Sequence, residues 1–301
     1  MTIDTNFIKK FEGDFNQNVK LSNYSWFNLG GNAEYFYKAK DKKQLIEFLE
    51  EVKKKRLKTT FLGAGSNILF RDNGVKGAVI KLGKNFSYTK LIEKDVLDVG
   101  AATLDRKVAN FAKENNLGNL EFLSCIPGSI GGAIRMNSGC YENDISKVLL
   151  SIKAIDINKL SEIEIKKEDI KFSYRGTNLS DNLILISAKI KGRIKKKEEI
   201  EKKQAYLIEK KKQTQPSQVK TCGSTFKNID KDKKAWMLIK EAGCEDYKEG
   251  DAMISQKHCN FFVNNGNAKS SDIENLIKKV KKKVYEKTGV NLELEIKIIG
   301  E

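Results

Sequence analysis

Apolar and polar positions in the first third of the chain predict a small α/β domain that ends near residue 85. A strand is predicted over Ala33–Ala39, and Leu45, Ile46 and Leu49 form the apolar stripe of a following helix. Asp41, with Gln44 three residues later, is the expected N-cap of this helix. Three further strands are predicted over Thr59–Leu62, Ile68–Phe70 and Gly77–Leu82.

The middle of the chain repeats this mixture of strands and helices. Strands are predicted over Val96–Ala101, Val148–Ile157 and Leu183–Ile190, and a helix containing Leu104, Val108, Phe111 and Ala112 ends at Gly118. A long charged helix over about Lys195–Lys212 stops before Gln215-Pro216-Ser217, which is the best linker in the sequence. We therefore predict three parts: residues 1–85, 86–199 and 200–301.

The last part combines two helices with short strands. One helix is expected from Asp232, with Ala235, Trp236 and Ile239 facing inward and Gly243 ending it. A short strand is predicted over Phe261–Val263, and Ser271 to Glu274 is the capping box of the last helix. The final strand, Asn291–Ile299, alternates: Leu292, Leu294, Ile296 and Ile298 share one face, and Glu293, Glu295 and Lys297 share the other. Periodicity alone leaves open whether Glu295 faces solvent or a cleft.

Composition indicates a globular protein outside the membrane. Hydrophobic residues make up 40% of the chain and charged residues 32%, and no apolar run approaches the ~20 residues of a membrane span. No signal peptide is visible at the start, so we expect a cytoplasmic protein. The five cysteines lack C-x-x-C spacing and His258 is the only histidine, which argues against a disulfide framework and a metal site.

The formal charge of +16 permits either an enzyme for anionic substrates or a nucleic-acid binder. However, 40 acidic residues are interspersed among 56 basic ones, and aromatic residues are not interleaved with the lysine runs. A stacking surface for bases would need such aromatic residues. We therefore expect a solvated lysine-rich surface and no nucleic-acid partner.

Two glycine-rich stretches are candidates for binding a phosphate group. Gly63-Ala64-Gly65-Ser66-Asn67 lies between two apolar runs, and its backbone N–H groups could surround a pyrophosphate. The G-x-G-x-x-G fingerprint is absent because Ile68 stands where its third glycine is required. The second stretch is Pro127-Gly128-Ser129-Ile130-Gly131-Gly132-Ala133. A tight turn and a connecting loop remain the alternatives.

Six motifs, in order, resemble one family. They are Trp26-Phe27-Asn28-Leu29-Gly30-Gly31, Gly63 to Leu69, Pro127 to Ala133, Phe172-Ser173-Tyr174-Arg175, Gly223-Ser224-Thr225-Phe226-Lys227-Asn228 and Glu295-Ile296-Lys297-Ile298-Ile299-Gly300. Together they are similar to the UDP-N-acetylenolpyruvoylglucosamine reductases, flavoenzymes that make UDP-N-acetylmuramate for peptidoglycan. The resemblance runs from about residue 20 to residue 300.

This resemblance implies an α+β fold: an FAD-binding domain of the vanillyl-alcohol-oxidase (PCMH) type in two lobes, and a C-terminal α+β substrate-binding domain. It implies FAD as cofactor, NADPH as reductant, a UDP-sugar substrate and a monomer. The implied FAD-binding residues are Gly63, Ala64, Gly65, Ser66, Asn67, Ile68, Leu69, Pro127, Gly128, Ser129, Gly131, Gly132 and Ala133. The implied catalytic residues are Arg175, Ser224 and Glu295, and the implied substrate-binding residues are Tyr174, Arg175, Lys227 and Asn228.

These residue types suit the implied chemistry. Hydride addition to an enolpyruvyl ether develops negative charge on its carboxylate, which a guanidinium can bind in a fork. The neighbouring carbon then needs a proton, which either Ser224 or Glu295 could deliver.

The sequence also departs from the family pattern. Asn32 and Ile229 stand where the family usually has proline. The sequence between Arg175 and Ser224 contains one tyrosine, Tyr206 in the lysine-rich helix. The chain therefore resembles the branch that lacks the extra tyrosine-bearing segment. His258 and Asn260 lie in a matching stretch and receive no assigned role. The alternatives are another flavin oxidase of the same fold and a basic nucleic-acid-binding protein.

Overall fold

A computed structural model describes residues 10–11, 14–230 and 232–301. The expectation about a signal peptide concerns residues 1–9, which lie outside the described residues. The α-helices are α1 (Lys42–Lys54), α2 (Asp105–Glu114), α3 (Ile130–Arg135), α4 (Lys197–Thr214), α5 (Ala235–Glu241) and α6 (Ser270–Thr288).

Most strands are short. Those of the first half are β1 (Phe15–Lys20), β2 (Asn32–Ala39), β3 (Thr59–Leu62), β4 (Ile68–Phe70), β5 (Val75–Leu82), β6 (Thr89–Glu93), β7 (Val96–Gly100), β8 (Leu117–Gly118), β9 (Gly139–Cys140) and β10 (Asn143–Asp144). Those of the second half are β11 (Leu149–Asp156), β12 (Ser161–Lys166), β13 (Phe172–Ser173), β14 (Gly176–Thr177), β15 (Leu183–Lys191), β16 (Arg193–Ile194), β17 (Lys248–Glu249), β18 (Ala252–Ile254), β19 (Phe262–Asn264) and β20 (Lys297–Ile299).

The contacts divide the chain into two compact units. The first unit contains residues 1–16, 35–64 and 77–211, and the second contains residues 17–34, 65–76 and 212–301. Each unit is therefore assembled from three separate stretches of chain. The division into residues 1–85, 86–199 and 200–301 stays a prediction.

A five-stranded antiparallel sheet organises most of the first unit, in the order β12-β11-β15-β7-β6. Its central strand β15 reads Leu-Ile-Leu-Ile-Ser-Ala-Lys-Ile-Lys, and residues 183–188 are all buried. A strand with two buried faces has such a continuous apolar run. Helix α3 packs on β15 and β7, so the sheet supports the second glycine-rich stretch.

A second core of the first unit surrounds α1. Tyr37 of β2 stacks on Phe48 of α1 with ring centroids 3.8 Å apart. The Asp41 carboxylate accepts a hydrogen bond of 2.9 Å from the Gln44 N–H, which confirms the predicted N-cap. Strand β3 pairs in parallel with β5, within a four-stranded sheet of order β1-β2-β5-β3, and leads directly into the first glycine-rich loop.

The core of the second unit combines all three of its chain stretches. Phe27, Leu69 and Phe226 are fully buried in one cluster with residues of α5 and α6. Strands β17, β18 and β19 form an antiparallel sheet, and β20 pairs in parallel with β4. The stretch that contains Ser66 and Asn67 is thereby fixed to the C-terminal stretch.

Two helix predictions for the second unit were wrong in detail. Trp236 is 37% exposed, whereas Ala235 and Ile239 are fully buried. A seven-residue helix has a narrow buried stripe, and Trp236 lies beside it. The last helix begins at Ser270, one residue before the predicted cap Ser271.

The reason for this earlier start is a tertiary contact. The Asp72 carboxylate accepts hydrogen bonds of 2.7 and 2.9 Å from the backbone N–H groups of Ser270 and Ser271. Asp272 reaches back to the N–H of Lys269 at 2.8 Å, which is the return half of a capping box.

Two further segments also differ from the prediction. Of the predicted final strand only Lys297–Ile299 pairs as a strand, although Leu292 and Ile296 are buried as the alternation requires. The second glycine-rich stretch is a loop only up to Ser129, after which α3 begins.

Candidate active site

The first glycine-rich loop connects β3 to β4 and has a shape that requires glycine. Gly65 has φ +72°, and a Cβ placed there would lie 1.8 Å from the carbonyl oxygen of Tyr24. The Trp26 N–H donates to the Gly65 carbonyl at 3.1 Å, which holds this approach. A larger residue at position 65 would force the loop open.

Several N–H groups of this loop are available to a ligand. Among the residues that the structure describes, the backbone N–H groups of Ala64, Gly65 and Ser66 donate to no protein acceptor. Consecutive backbone N–H groups form a concavity that binds anions. This stretch therefore offers the kind of donors that suit a phosphate group.

The second glycine-rich stretch lies against the first loop within the first unit. A Cβ on Gly63 would be 3.1 Å from Ser129 Oγ. The N–H groups of Ile130 and Gly131 donate to Thr103 and Ala101, whereas those of Gly128 and Ser129 have no acceptor in the described part of the chain. Gly63, at the start of the first loop, and Ser129, just before α3, are therefore neighbours within the first unit.

Lys81 is a residue of this region that the sequence reading missed. Its ammonium donates to the Gly63 carbonyl, and burial, with a smaller contribution from Lys38, lowers the pKa of Lys81. Lys81 is the register partner of Leu62 in the parallel pairing of β3 and β5. Only that pairing could have indicated its place beside the loop.

Arg175 lies in the two-residue turn between β13 and β14. It has φ +58°, a left-handed conformation that is strained for a residue with a side chain. Its Nη1 donates to the Gly139 carbonyl at 3.2 Å, and its guanidinium lies 5.1 Å from the ring centroid of Tyr174. Tyr174 is 51% exposed.

Asn137 connects this turn to the second glycine-rich stretch. Its Nδ2 donates to the Ser173 carbonyl at 3.1 Å, and its Oδ1 accepts from the Ser146 N–H at 3.1 Å. The first unit thus brings the predicted residues Tyr174 and Arg175 next to the chain that continues from α3.

Ser224 and Glu295 belong to the second unit, on adjacent segments. Ser224 forms a β-bridge with Phe261, and the Glu295 N–H donates to the carbonyl of Thr225 at 2.9 Å. The Asn67 side chain donates to the Glu295 carbonyl at 3.0 Å. These bonds hold both predicted catalytic residues on a fixed backbone.

Asn260 positions the Ser224 segment. Its side chain accepts from the Phe226 N–H at 2.9 Å and donates to the Phe226 carbonyl at 2.8 Å, and its own carbonyl accepts from the Thr225 N–H at 2.7 Å. His258 Nδ1 accepts from the Asn260 N–H at 3.2 Å, and burial lowers the pKa of His258. Both side chains therefore support the backbone beside Ser224.

Lys227 and Asn228, predicted to bind substrate, have protein partners. Lys227 forms an ion pair of 3.3 Å with Glu293; the Lys227 side chain is partly exposed and the Glu293 side chain is exposed. The Asn228 side-chain oxygen accepts from the Ala235 N–H at 3.1 Å, at the start of α5.

The structure also bears on disulfides, metal sites and membrane spans. All five cysteines are free. Within residues 10–11, 14–230 and 232–301, no group of three His, Cys, Asp or Glu side chains is arranged to hold a metal ion. None of the helices in the same residues is both long and apolar enough to cross a membrane.

Comparison with known proteins identifies the family. Residues 33–159 match an FAD binding domain, and residues 215–299 match the C-terminal domain of UDP-N-acetylenolpyruvoylglucosamine reductase. A reductase of that name from Pelagibacter ubique (strain HTCC1062) is 46% identical over 298 residues, which cover 97% of this chain and 98% of that protein. The chain belongs to the UDP-N-acetylenolpyruvoylglucosamine reductase family.

Another relative and a solved structure are similar to this protein over almost the whole chain. The reductase of Orientia tsutsugamushi (strain Ikeda) is 42% identical over 296 residues, covering 97% of each chain. The crystal structure of UDP-N-acetylenolpyruvylglucosamine reductase from Thermus caldophilus has a TM-score of 0.83 at 30% identity, covering 94% of this chain and 98% of that one.

These matches confirm the predicted family, the α+β fold class with its FAD-binding domain of the PCMH type, and FAD as the cofactor. The protein is an FAD-dependent oxidoreductase.

Proposed function

We propose that the protein reduces UDP-N-acetylglucosamine enolpyruvate to UDP-N-acetylmuramate, with NADPH as reductant, in the synthesis of peptidoglycan precursors. The single observation that carries this proposal is the 46% identity to a reductase of this name along almost the full length of both chains. Another flavin oxidase of the same fold is disfavoured because the C-terminal family domain is also present.

Residues 63–69 and 127–133 would hold FAD. The N–H groups of Ala64, Gly65, Ser66, Gly128 and Ser129 would donate to its pyrophosphate, since each lacks a protein acceptor within the described ranges. When bound, FAD would accept a hydride from NADPH and supply one to the enolpyruvyl group.

Arg175 would bind the enolpyruvyl carboxylate. A guanidinium offers two parallel N–H groups to a carboxylate, and its charge would stabilise the negative charge that develops during hydride addition. The strained backbone of Arg175 supports a functional role, because such strain is retained where the surrounding structure imposes it. The hydrogen bond to Gly139 limits the motion of this side chain.

Ser224 or Glu295 would deliver the proton to the neighbouring carbon. A serine hydroxyl is a weak acid, but it is competent toward a strongly basic carbanion or enolate that is held against it. Glu295 would either donate this proton or orient the intermediate. The Glu295 backbone donates to the Thr225 carbonyl and accepts from the Asn67 side chain, which keeps Glu295 next to the segment that contains Ser224.

Tyr174, Lys227 and Asn228 are proposed to contact the UDP-sugar. The partly exposed Lys227 is suited to a diphosphate, although it must then share its charge with Glu293. We propose a cytoplasmic location, since the substrate is a nucleotide sugar and the cysteines are free. The monomer stays a prediction that the family resemblance implies.

An anaerobic half-reaction tests this function. The bound flavin is first reduced with NADPH, and UDP-N-acetylglucosamine enolpyruvate is then added while the flavin absorbance is recorded. We expect the absorbance of oxidised flavin to return at once. If the flavin stays reduced with this sugar but reoxidises in air, the reductase function is wrong and an oxidase is supported.

A further inference from the structure

Lys81, near the end of β5, is a partly buried cation without an acidic partner. Its ammonium donates to the Gly63 carbonyl, and none of the carboxylates in the described chain forms an ion pair with it. Taking a charge out of water is costly unless a partner compensates for the lost hydration, and a single neutral carbonyl does so only in part. A cation that is kept at such a position is a candidate for contact with an anionic ligand.

A second lysine adds to the positive charge at this place. Strand β2 lies next to β5 in the sheet, and the Gly83 N–H donates to the Ala39 carbonyl at 2.8 Å just beyond Lys38 and Lys81. Burial lowers the pKa of Lys81, and the exposed Lys38 ammonium lowers it further. Both effects disfavour the charged form of Lys81, and an anion beside this ammonium would favour the charged form again.

The same unit also offers backbone donors for an anion. The N–H groups of Ala64, Gly128 and Ser129 donate to no acceptor in the residues for which coordinates are described. Ala64 shares a peptide group with the carbonyl of Gly63, and a Cβ on Gly63 would lie 3.1 Å from Ser129 Oγ. An ammonium has three N–H donors, of which the Gly63 carbonyl takes one. A full positive charge and several N–H groups therefore surround Gly63.

We propose that Lys81 is a further cofactor-binding residue, whose ammonium forms an ion pair with the diphosphate of FAD. Lys81 can have this role only if FAD lies at residues 63–69 and 127–133, as the proposed function requires. Each phosphate of the cofactor carries a negative charge, whereas a backbone N–H group supplies only a partial positive charge. A lysine ammonium is a compact point charge that suits a phosphate oxygen. Lys81 thus supplies the full charge that the glycine-rich stretches lack.

The salt dependence of FAD binding tests this ion pair. Bound flavin is removed, and FAD is titrated back at about 0.01 to 0.15 M salt while the flavin fluorescence is recorded. For the wild type we expect the affinity to fall as salt rises, since ions screen a partly exposed ion pair. Lys81→Gln can still donate to the Gly63 carbonyl but carries no charge. It should bind FAD about 10- to 100-fold more weakly at low salt, with an affinity that hardly depends on salt.

Two further variants complete this measurement. Lys81→Arg keeps the positive charge and should keep the salt dependence of the wild type. The matched control Lys94→Gln removes an exposed charge from the turn between β6 and β7, and it should leave both the affinity and its salt dependence unchanged. A Lys81→Gln variant with the salt dependence of the wild type would overturn the inference, because the lysine would then only shape the loop.

Competition with ADP shows which part of FAD contacts Lys81. ADP contains the diphosphate without the flavin ring, so Lys81→Gln should weaken the binding of ADP and of FAD by the same factor. Weaker FAD binding with unchanged ADP binding would mean that the lysine acts on the flavin, and the inference would be wrong.

Failure of this inference is distinguishable from failure of the proposed function. Neither titration uses NADPH or a UDP-sugar, so the proposed reaction is tested separately. If Lys81→Gln binds FAD like the wild type while Gly65→Ala binds it more weakly, Lys81 has no role and the glycine-rich loop remains the cofactor site.

Discussion

Ser224 and Thr225 are adjacent hydroxyl residues with different surroundings. Ser224 is partly exposed, whereas Thr225 is fully buried and its hydroxyl has no hydrogen-bond partner among the described residues. A proton donor must reach the substrate, which only the exposed hydroxyl can do. The two residues therefore form a natural pair of test and control positions.

For Ser224→Ala we expect NADPH to reduce the flavin at the wild-type rate and turnover of the UDP-sugar to fall about 10²- to 10⁴-fold, the usual range for general acid catalysis. Stopped-flow absorbance separates the two half-reactions. Thr225→Val replaces a buried, unpartnered hydroxyl with a methyl group of similar shape and should leave turnover near the wild-type value. Equal turnover in wild type and Ser224→Ala would remove Ser224 from the mechanism.

Gly65 and Gly243 offer a second matched pair. Both have positive φ, +72° and +67°, but a Cβ at Gly65 would collide with the Tyr24 carbonyl, whereas one at Gly243 would meet no atom within 4 Å. We expect Gly243→Ala to cost about 1 kcal/mol of backbone strain and to leave FAD affinity unchanged. Gly65→Ala should cost more stability and weaken FAD binding, measured by fluorescence titration of the apoprotein. Equal affinities would mean that the loop shape is not needed for the cofactor.

The site could be predicted from the sequence only where a motif is contiguous. The glycine-rich stretches were recognisable because each has its functional atoms within seven consecutive residues, but Lys81 and Asn260 act through pairings that no local pattern records. The assigned roles of Arg175, Ser224 and Glu295 remain predictions, as they came from the family resemblance.

At the scale of elements, α6 depends on a cap from a distant part of the chain. The first N–H groups of α6 donate to Asp72, and Arg71 donates two hydrogen bonds of 3.0 and 3.1 Å to Glu274, the fifth residue of the helix. The Ser270 hydroxyl donates to the Phe70 carbonyl at 2.6 Å. The segment after β4 therefore fixes the start of the longest helix.

We expect Asp72→Ala to lower the free energy of unfolding by about 1 kcal/mol, the usual cost of losing an N-cap, in urea denaturation monitored by circular dichroism. Burial raises the pKa of the Asp72 carboxyl, but hydrogen bonds from Ser271 and Ser270 lower this pKa by more, so that it lies below its ordinary value. The stabilisation is thus complete above the ordinary carboxyl pKa and is lost as the pH falls through the lower folded value. The difference between wild type and variant should shrink in that acidic range. A constant difference would mean that the carboxylate charge is not involved.

Local caps were predictable, and tertiary ones were not. Asp41 caps α1 from the preceding position, so its pattern was visible and correct. The start of α6 was misplaced because Asp72 lies 198 residues before Ser270. The alternation near the end identified the buried side of the last segment, but the paired length of β20 is set by the three residues of β4.

At the scale of the whole molecule, the net charge of +16 acts on two anionic reactants. A positive field raises the local concentration of anions and is screened by salt. Between about 0.01 and 0.15 M salt the Debye length falls from about 30 to about 8 Å. We expect KM for NADPH and for the UDP-sugar to rise over this range while kcat changes little, measured by steady-state kinetics. A constant KM would show that only short-range contacts recruit the reactants.

The second unit is built from three stretches of chain that are far apart in sequence, and this has a consequence for biosynthesis. Phe27 and Leu69 share their core with Ile296, so they are translated long before their partner exists. At about 5–20 residues per second, a ribosome needs more than ten seconds to cover that interval. During this time the early apolar side chains lack their native neighbours and present a surface that chaperones recognise. The chain of the first unit is complete at residue 211. We therefore expect a nascent state in which the first unit is folded and the second is not.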